Sequence, residues 1–537
     1  MKKIFAFLLV FIAFKAFAQE SRPTLAKPEH VVTYYDKDQS QVYYEGYFLL
    51  GKKHGEWTYF YKNGKKMERS VYNNGLLSGS VMYWYDNGLR KAEGHYKLVY
   101  TDGLLESVAD SAYREWYANG NMKTMGEYTY DLKDSIWKHW YPEGDLWKVV
   151  LYDEGMMHPV SCWNKELEPT LENGDGILYD YYDEGPLKSK TAVQDSIVNG
   201  LVEHYFQNGN LEYEGTLKGT KREGLWKFYF ENGNTWKHVE YAKGLLDGIY
   251  RWWFPNDTLS IKGQHKGGLK EGDWIWFNQN GVKDQEGPFK AGQQHGVWSY
   301  YFDNGQIEST GMFQNDLREG EWKMYYKNGA KWKTGYYEKD LRSGHWQTFF
   351  ENGQLLQEGD YKRGKEHGEW MAWYENGQVK DKGTFKMGIM DGHWKGWYPN
   401  GELNYEGDRK DGEREGKWMY GFMNGKTREQ GSYSNGEKTG AWVYYYDSGK
   451  IDYECSYKEG SKHGKCTYYY PHGSKMREES YDMDRLAGKS RIWNQTGTLI
   501  GLRTYKNGVP HGKTINYDDD GKVLTKAIYK NGIQVKP

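Results

Sequence analysis

Net charge is almost absent from this sequence: 72 Lys and Arg against 74 Asp and Glu leave −2 over 537 residues. Abundant charges of both signs in near balance exclude a nucleic-acid or anionic-membrane partner held by bulk electrostatics. Proline is scarce, at 12 residues, and leucine and alanine fall short of what a helical protein would carry. Beyond the first twenty or so residues no stretch is long and apolar enough to span a bilayer as a helix. Catalytic motifs are missing too. There is no G-x-S-x-G elbow, and no Cys/His pair in a catalytic setting. Gly425-Lys426-Thr427, Gly488-Lys489-Ser490 and Gly512-Lys513-Thr514 look like the ends of phosphate loops, but Tyr420, Met483 and Asn507 stand where the earlier loop glycine belongs. These absences argue against an enzyme and against any cofactor.

What the sequence has is aromatics, 17% of all residues, and 67 glycines. They are periodic. From Gly224 through Gly512 a glycine recurs at every 24th position without interruption, so the chain is an array of repeats. In the unit Gly368 to Asp391, two aromatic-rich runs flank Asn376-Gly377, the strongest short-range hairpin signal. Each unit is therefore expected to be a β-hairpin, and the fold all-β: an elongated, twisted antiparallel meander sheet of about twenty hairpins, each too small to bury a core alone.

A two-residue Asn-Gly turn would pair Glu375 with Gln378, Tyr374 with Val379 and Trp370 with Gly383. A second turn at Gly388-Ile389 would pair Gly383 with Trp394 and Phe385 with Gly392. Rings and glycines then alternate on one face, each ring lying over a strand that carries no side chain. Trp370, Tyr374 and Phe385 are expected to hold the sheet together there. The other face is mostly polar, with Glu369, Met371, Glu375, Lys380, Lys382 and Thr384. It carries one ring per unit, a column that includes Trp253, Tyr301, Tyr325, Trp373 and Trp397 at roughly 9.6 Å per hairpin. These rings either shield the sheet by packing on cross-strand neighbours or stack on an extended ligand or partner.

Histidines His54, His295, His367, His463 and His511 all precede a leading glycine. The period holds them apart, His463 and His511 by roughly 19 Å along the sheet, which is far beyond the reach of a shared metal. They are expected in solvent at turns, with no metal site. Cys455 replaces a strand glycine and Cys466 the Trp opposite it, so the two are candidates for a disulfide across adjacent strands; reduced thiols are the other reading. Cys162 is left unpaired.

Residues 1–18 read as a secretory signal: Lys2-Lys3, an apolar run from Ile4 to Phe14, and Ala16-Phe17-Ala18 before cleavage between Ala18 and Gln19. The expected location is the periplasm or cell surface of a bacterium. A polar leader follows at 19–30, then N-terminal repeats at 31–150. Residues 151–199, with Cys162, Pro169 and Pro186, are irregular and suggest a kink or loop, and 200–537 form the regular array.

The unit resembles the MORN repeat, and more closely its variant in bacterial proteins described as antitoxin components of toxin–antitoxin systems. Gly320, Trp322, Tyr325, Tyr326, Asn328, Gly329, Gly335 and Tyr337 carry the likeness, which covers almost everything after Val31. The expected function is an exported, non-catalytic scaffold that binds an envelope glycan or a partner protein. The resemblance implies the alternative, an antitoxin-like or immunity-type protein that binds and neutralises a toxin.

Overall fold

The structure is a computed structural model describing residues 26–183 and 185–537. The expected signal segment, the Ala18/Gln19 junction and residues 19–25 lie outside the described residues. From Glu29 to Lys536 the chain forms 47 strands and, among the described residues, no helix. It divides into two compact units, Met1–Asn234 and Thr235–Pro537. Within each, strands pair antiparallel with their neighbours in sequence, an open meander of hairpins as expected.

The hairpin of strands Lys365–Trp373 and Val379–Lys386 shows why the sequence folds this way. Its loop has three residues, not two. The Gly377 N–H donates to Tyr374 O at 2.9 Å and the Tyr374 N–H to Gln378 O at 2.8 Å. Gly377 sits in the left-handed region with φ 84°, the position such a loop reserves for glycine. Trp373, not Tyr374, therefore faces Val379. A register step between Ala372 and Trp373 then restores the pairing further down, so that Trp370 does face Gly383. The expected pair arises from two one-residue changes that cancel.

The turn into the next strand, Ile389–Trp397, is also displaced. Met387 and Gly388, φ 54° and 87°, are its central residues, and Lys386 pairs with Ile389. Both angles are positive, as the hairpin-favoured mirror-image turn requires. Phe385 consequently faces Met390 rather than Gly392. A bulge follows on the second strand between Asp391 and Lys395, with Gly392 at φ 75°. That bulge explains the leading glycine: backbone so bent strains any residue with a Cβ.

The ring-over-glycine core is present. A Cβ built on Gly383 would lie 2.1 Å from Cδ2 of Trp394, and one on Gly359 would lie 2.3 Å from the same atom of Trp370. Each indole N–H donates to the carbonyl ten residues earlier, Trp346 to Tyr336 at 3.0 Å and Trp394 to Thr384 at 3.2 Å. The rings form an edge-to-face row: Trp346, Tyr361, Trp370, Phe385 and Trp394 have successive centroids 5.2 to 6.0 Å apart and planes at 77° to 88°. Such contacts add about 0.5–1.5 kcal/mol each beyond area burial. In the first unit the pattern lapses. The short strand Pro169–Glu172 sits among aliphatic neighbours, and the core there is Cys162, Leu171, Leu178 and Val193.

Candidate functional site

The five rings of the expected column each end the first strand of a hairpin: Trp253 faces Leu259, Tyr301 faces Ile307, Tyr325 faces Lys331, Trp373 faces Val379 and Trp397 faces Leu403. All five are half-buried. Where the ring is tyrosine, its hydroxyl can be engaged by the glutamate of the Glu-Gly pair. Tyr301 donates to Glu286, and Tyr229 donates to Glu214 at 3.0 Å. Burial, then the Glu286 carboxylate, pushes the Tyr301 phenol up to about 12. That glutamate therefore has a job that sequence reasoning missed.

Tyr374 belongs to the loop edge. Its hydroxyl donates to Trp397 O of the next hairpin at 2.9 Å, and the Asn376 amide donates to Pro399 O at 2.8 Å while its own oxygen accepts the Gln378 N–H at 3.0 Å. The Asn-Gly loops are thus tied to one another along that edge, which corrects the expected role of Tyr374 in the ring-and-glycine face.

Cys455 and Cys466 stand directly opposite each other, Cα atoms 4.1 Å apart, and their sulfurs are bonded at 2.07 Å. Cys162 is fully buried and free, its thiol pushed up by burial. The histidines are less exposed than expected. His54, His295 and His367 are half-buried, and their Nδ1 atoms are sealed from solvent without a partner. His463 pairs with Asp482 at 3.2 Å. Among the described residues no group of three or more His, Cys, Asp or Glu is placed to hold a metal.

Sequence reasoning overlooked a second periodic feature, two residues before the leading glycine. Lys or Arg recurs there, and its charge lies over the tryptophan of its own unit: Lys53 over Trp57 at 4.9 Å, Lys133 over Trp137 at 4.2 Å, Lys270 over Trp274 at 4.6 Å, Arg342 over Trp346 at 4.8 Å, Arg414 over Trp418 at 5.4 Å and Lys438 over Trp442 at 4.0 Å. Each is a cation–π contact on the ring-and-glycine face. Aligning the units on that column would have revealed it.

Cavities interrupt this face in each unit, and two of them lie where the repeat departs from its pattern. One, of about 540 Å³, lies in the first unit beside the irregular stretch and is lined by Glu115, Lys123, His139, Tyr141, Trp147 and Asp183 among others. Tyr141, Trp147 and Tyr181 form a ring triad there at 5.6 to 5.7 Å. Burial, helped by Lys148 and Lys133, holds the His139 imidazole down to about 3, so it is neutral at physiological pH. The other, of about 320 Å³, lies in the second unit between Trp370 and Tyr405 and includes Glu366, Ala372, Asp381, Phe385 and Met390.

The MORN repeat variant matches this chain at residues 53–74, 198–218, 222–243, 270–291, 294–315, 318–339, 342–363, 366–387, 390–411, 438–459, 462–483 and 510–531. It is a MORN-repeat protein. All twelve matched segments begin at the cation position, two residues before the leading glycine. The MORN repeats between 76 and 197 go unmatched, where the long hairpin of Arg90–Thr101 and Leu104–Ala109 and the aliphatic core replace the pattern. No curated protein matches the chain. Among solved structures it is similar to TcdB2-TccC3-TEV, at 10% identity and TM-score 0.14 over 93% of this chain and 31% of that one. It is also similar to the Photorhabdus luminescens Tc holotoxin pore, at 11% identity and TM-score 0.12 over 91% of this chain. The chain spans about a third of the length of these solved chains.

Proposed function

We propose that this MORN-repeat array is an exported, non-catalytic scaffold that binds a partner protein or a cell-envelope component. The basic, apolar N-terminal segment with its small-residue junction supports export. The observation that carries the binding reading is how little each strand touches beyond its immediate neighbours. Within each unit both faces of the sheet are presented, one with the half-buried ring column and the other with tryptophans under cations. Repeat arrays built this way use extended surfaces for recognition.

The test is a pull-down from envelope extracts with the chain beginning at Gln19, with protein and glycan fractions analysed separately. A component retained by the native protein and lost with Trp373→Ala plus Trp397→Ala, the far-UV spectrum unchanged, is the expected result. Equal retention by both proteins counts against the column, and no retained component counts against the scaffold.

A further inference from the structure

The array itself displays what fits over its tryptophans, and in two consecutive units that group is missing. Where Arg342 lies 4.8 Å from Trp346 and Lys438 lies 4.0 Å from Trp442, the corresponding residues before Trp370 and Trp394 are Glu366 and Met390. Among the described residues no lysine or arginine lies over either ring. Elsewhere a lost cation is replaced without inverting charge: Gln294 holds the position before Trp298, which stays 1% exposed. At Glu366 the sign is reversed.

The same two units change at a second position on the same face. Ala372 and Gly396 stand where the unit at Gly296 has Tyr300 and that at Gly416 has Tyr420. Asp381 pairs with both small residues, so its carboxylate emerges between them, where it accepts the Tyr405 hydroxyl. Three of these departures, Glu366, Ala372 and Met390, therefore line one opening of about 320 Å³ that also includes Trp370 and Phe385, while the ring of Tyr405 covers Gly396. Glu366 makes no ion pair among the described residues and accepts only a long hydrogen bond from Tyr361, 3.3 Å.

We infer that this groove takes a lysine or arginine side chain of a partner protein, which lies over Trp370 between the Glu366 and Asp381 carboxylates. The inference rests on the scaffold reading above and names the partner's chemistry. Two carboxylates beside an aromatic face select a cation, since ion pairing and the ring quadrupole act together. An acidic glycan or a phosphate would meet like charge there.

The experiment measures binding of an arginine-rich peptide, and of the same peptide with citrulline at every arginine, to the full chain by calorimetry. The native protein is expected to bind the first and not the second. Glu366→Arg copies the unit of Arg342 and so keeps the fold; it supplies the missing cation internally and is expected to weaken binding by at least about tenfold. Glu369→Arg, the same charge change on the opposite face, is expected to leave affinity within about twofold. The inference is overturned if the native protein does not bind the arginine peptide, if the citrulline peptide binds equally, or if Glu366→Arg and Glu369→Arg behave alike. Retention of the same envelope partner by native and Glu366→Arg proteins would remove the groove and leave the scaffold reading standing.

Discussion

Trp346 over Gly335 in the regular run and Leu178 beside Cys162 in the irregular stretch are two answers to one problem: a sheet whose strands can stack only on their neighbours. In the regular run a large ring fills the space left by an absent side chain. Between residues 150 and 202 aliphatic residues face one another instead, Val150 opposite Pro159 and Val193 opposite Val198. The ring-and-glycine answer packs densely and propagates unit after unit, but it makes the glycine irreplaceable. The aliphatic answer places side chains on both facing strands, but it does not tile, and a cavity of about 540 Å³ opens beside it. On the ring-and-glycine face regularity and room for a ligand thus trade against each other, and the opening beside Trp370 lies where Glu366, Ala372 and Met390 leave the repeat.

Substituting a glycine pressed under a tryptophan and one with more room, outside the regular run, should separate the tight contact from a looser one most strongly. Gly383→Val drives side-chain atoms into Trp394 and is expected to cost about 3 kcal/mol or more in urea unfolding. Gly94→Ala meets only Tyr113, at 3.3 Å, and is expected to cost about 1 kcal/mol or less. Equal costs would break the comparison. Next in size is the one place where the ring-and-glycine pair has become a disulfide. Replacing both Cys455 and Cys466 by alanine should cost about 2–3 kcal/mol, whereas Cys455→Gly with Cys466→Trp, which rebuilds the repeat, should recover most of it.

Two histidines should then give opposite pH responses. His139, held down to about 3 by burial, stays neutral in the folded chain while an unfolded imidazole takes a proton below about 6.5. Stability is therefore lost as pH falls from the unfolded value towards the folded one, and hydrogen exchange of Leu132–Trp140 should accelerate beyond its intrinsic rate on going from about pH 6 to about pH 4. His139→Phe should abolish the effect. His393 is raised by Asp408, with Glu406 adding to it, so its contribution is present below the unfolded value and lost as pH rises through the folded one. Half-exposed, it is worth under about 0.5 kcal/mol after solvent screening, and Asp408→Asn should remove it.

The hairpins, the all-β class and the Trp370/Gly383 pair were legible in the sequence because they follow from a strict period and from side-chain alternation. The turns were not. Asn376-Gly377 suits a two-residue turn as well as the three-residue loop that forms, and the compensating register step near Lys380 has no residue signature. The charges over the tryptophans were legible but missed, since the unit was read forward from its leading glycine and the cation lies two residues before it. The cavity beside Trp147 had no signal in the period, because it depends on ring contacts of Tyr141 and Trp147 with Tyr181, which lies far from them in sequence. His54, His295 and His367 were misplaced in solvent for a related reason: the bulge that follows each of them turns the ring inward.

The central claim is that ring and glycine on this face are complementary halves of one contact. A double-substitution cycle at Gly383 and Trp394, read by urea unfolding, tests it directly. In the native background Gly383→Ala should cost about 2 kcal/mol or more, because its Cβ has no room beneath the indole. With Trp394→Ala already in place, which alone costs about 3 kcal/mol, the same change should be neutral or slightly stabilising, since alanine suits a strand better than glycine. An equal cost of Gly383→Ala in both backgrounds would contradict the account.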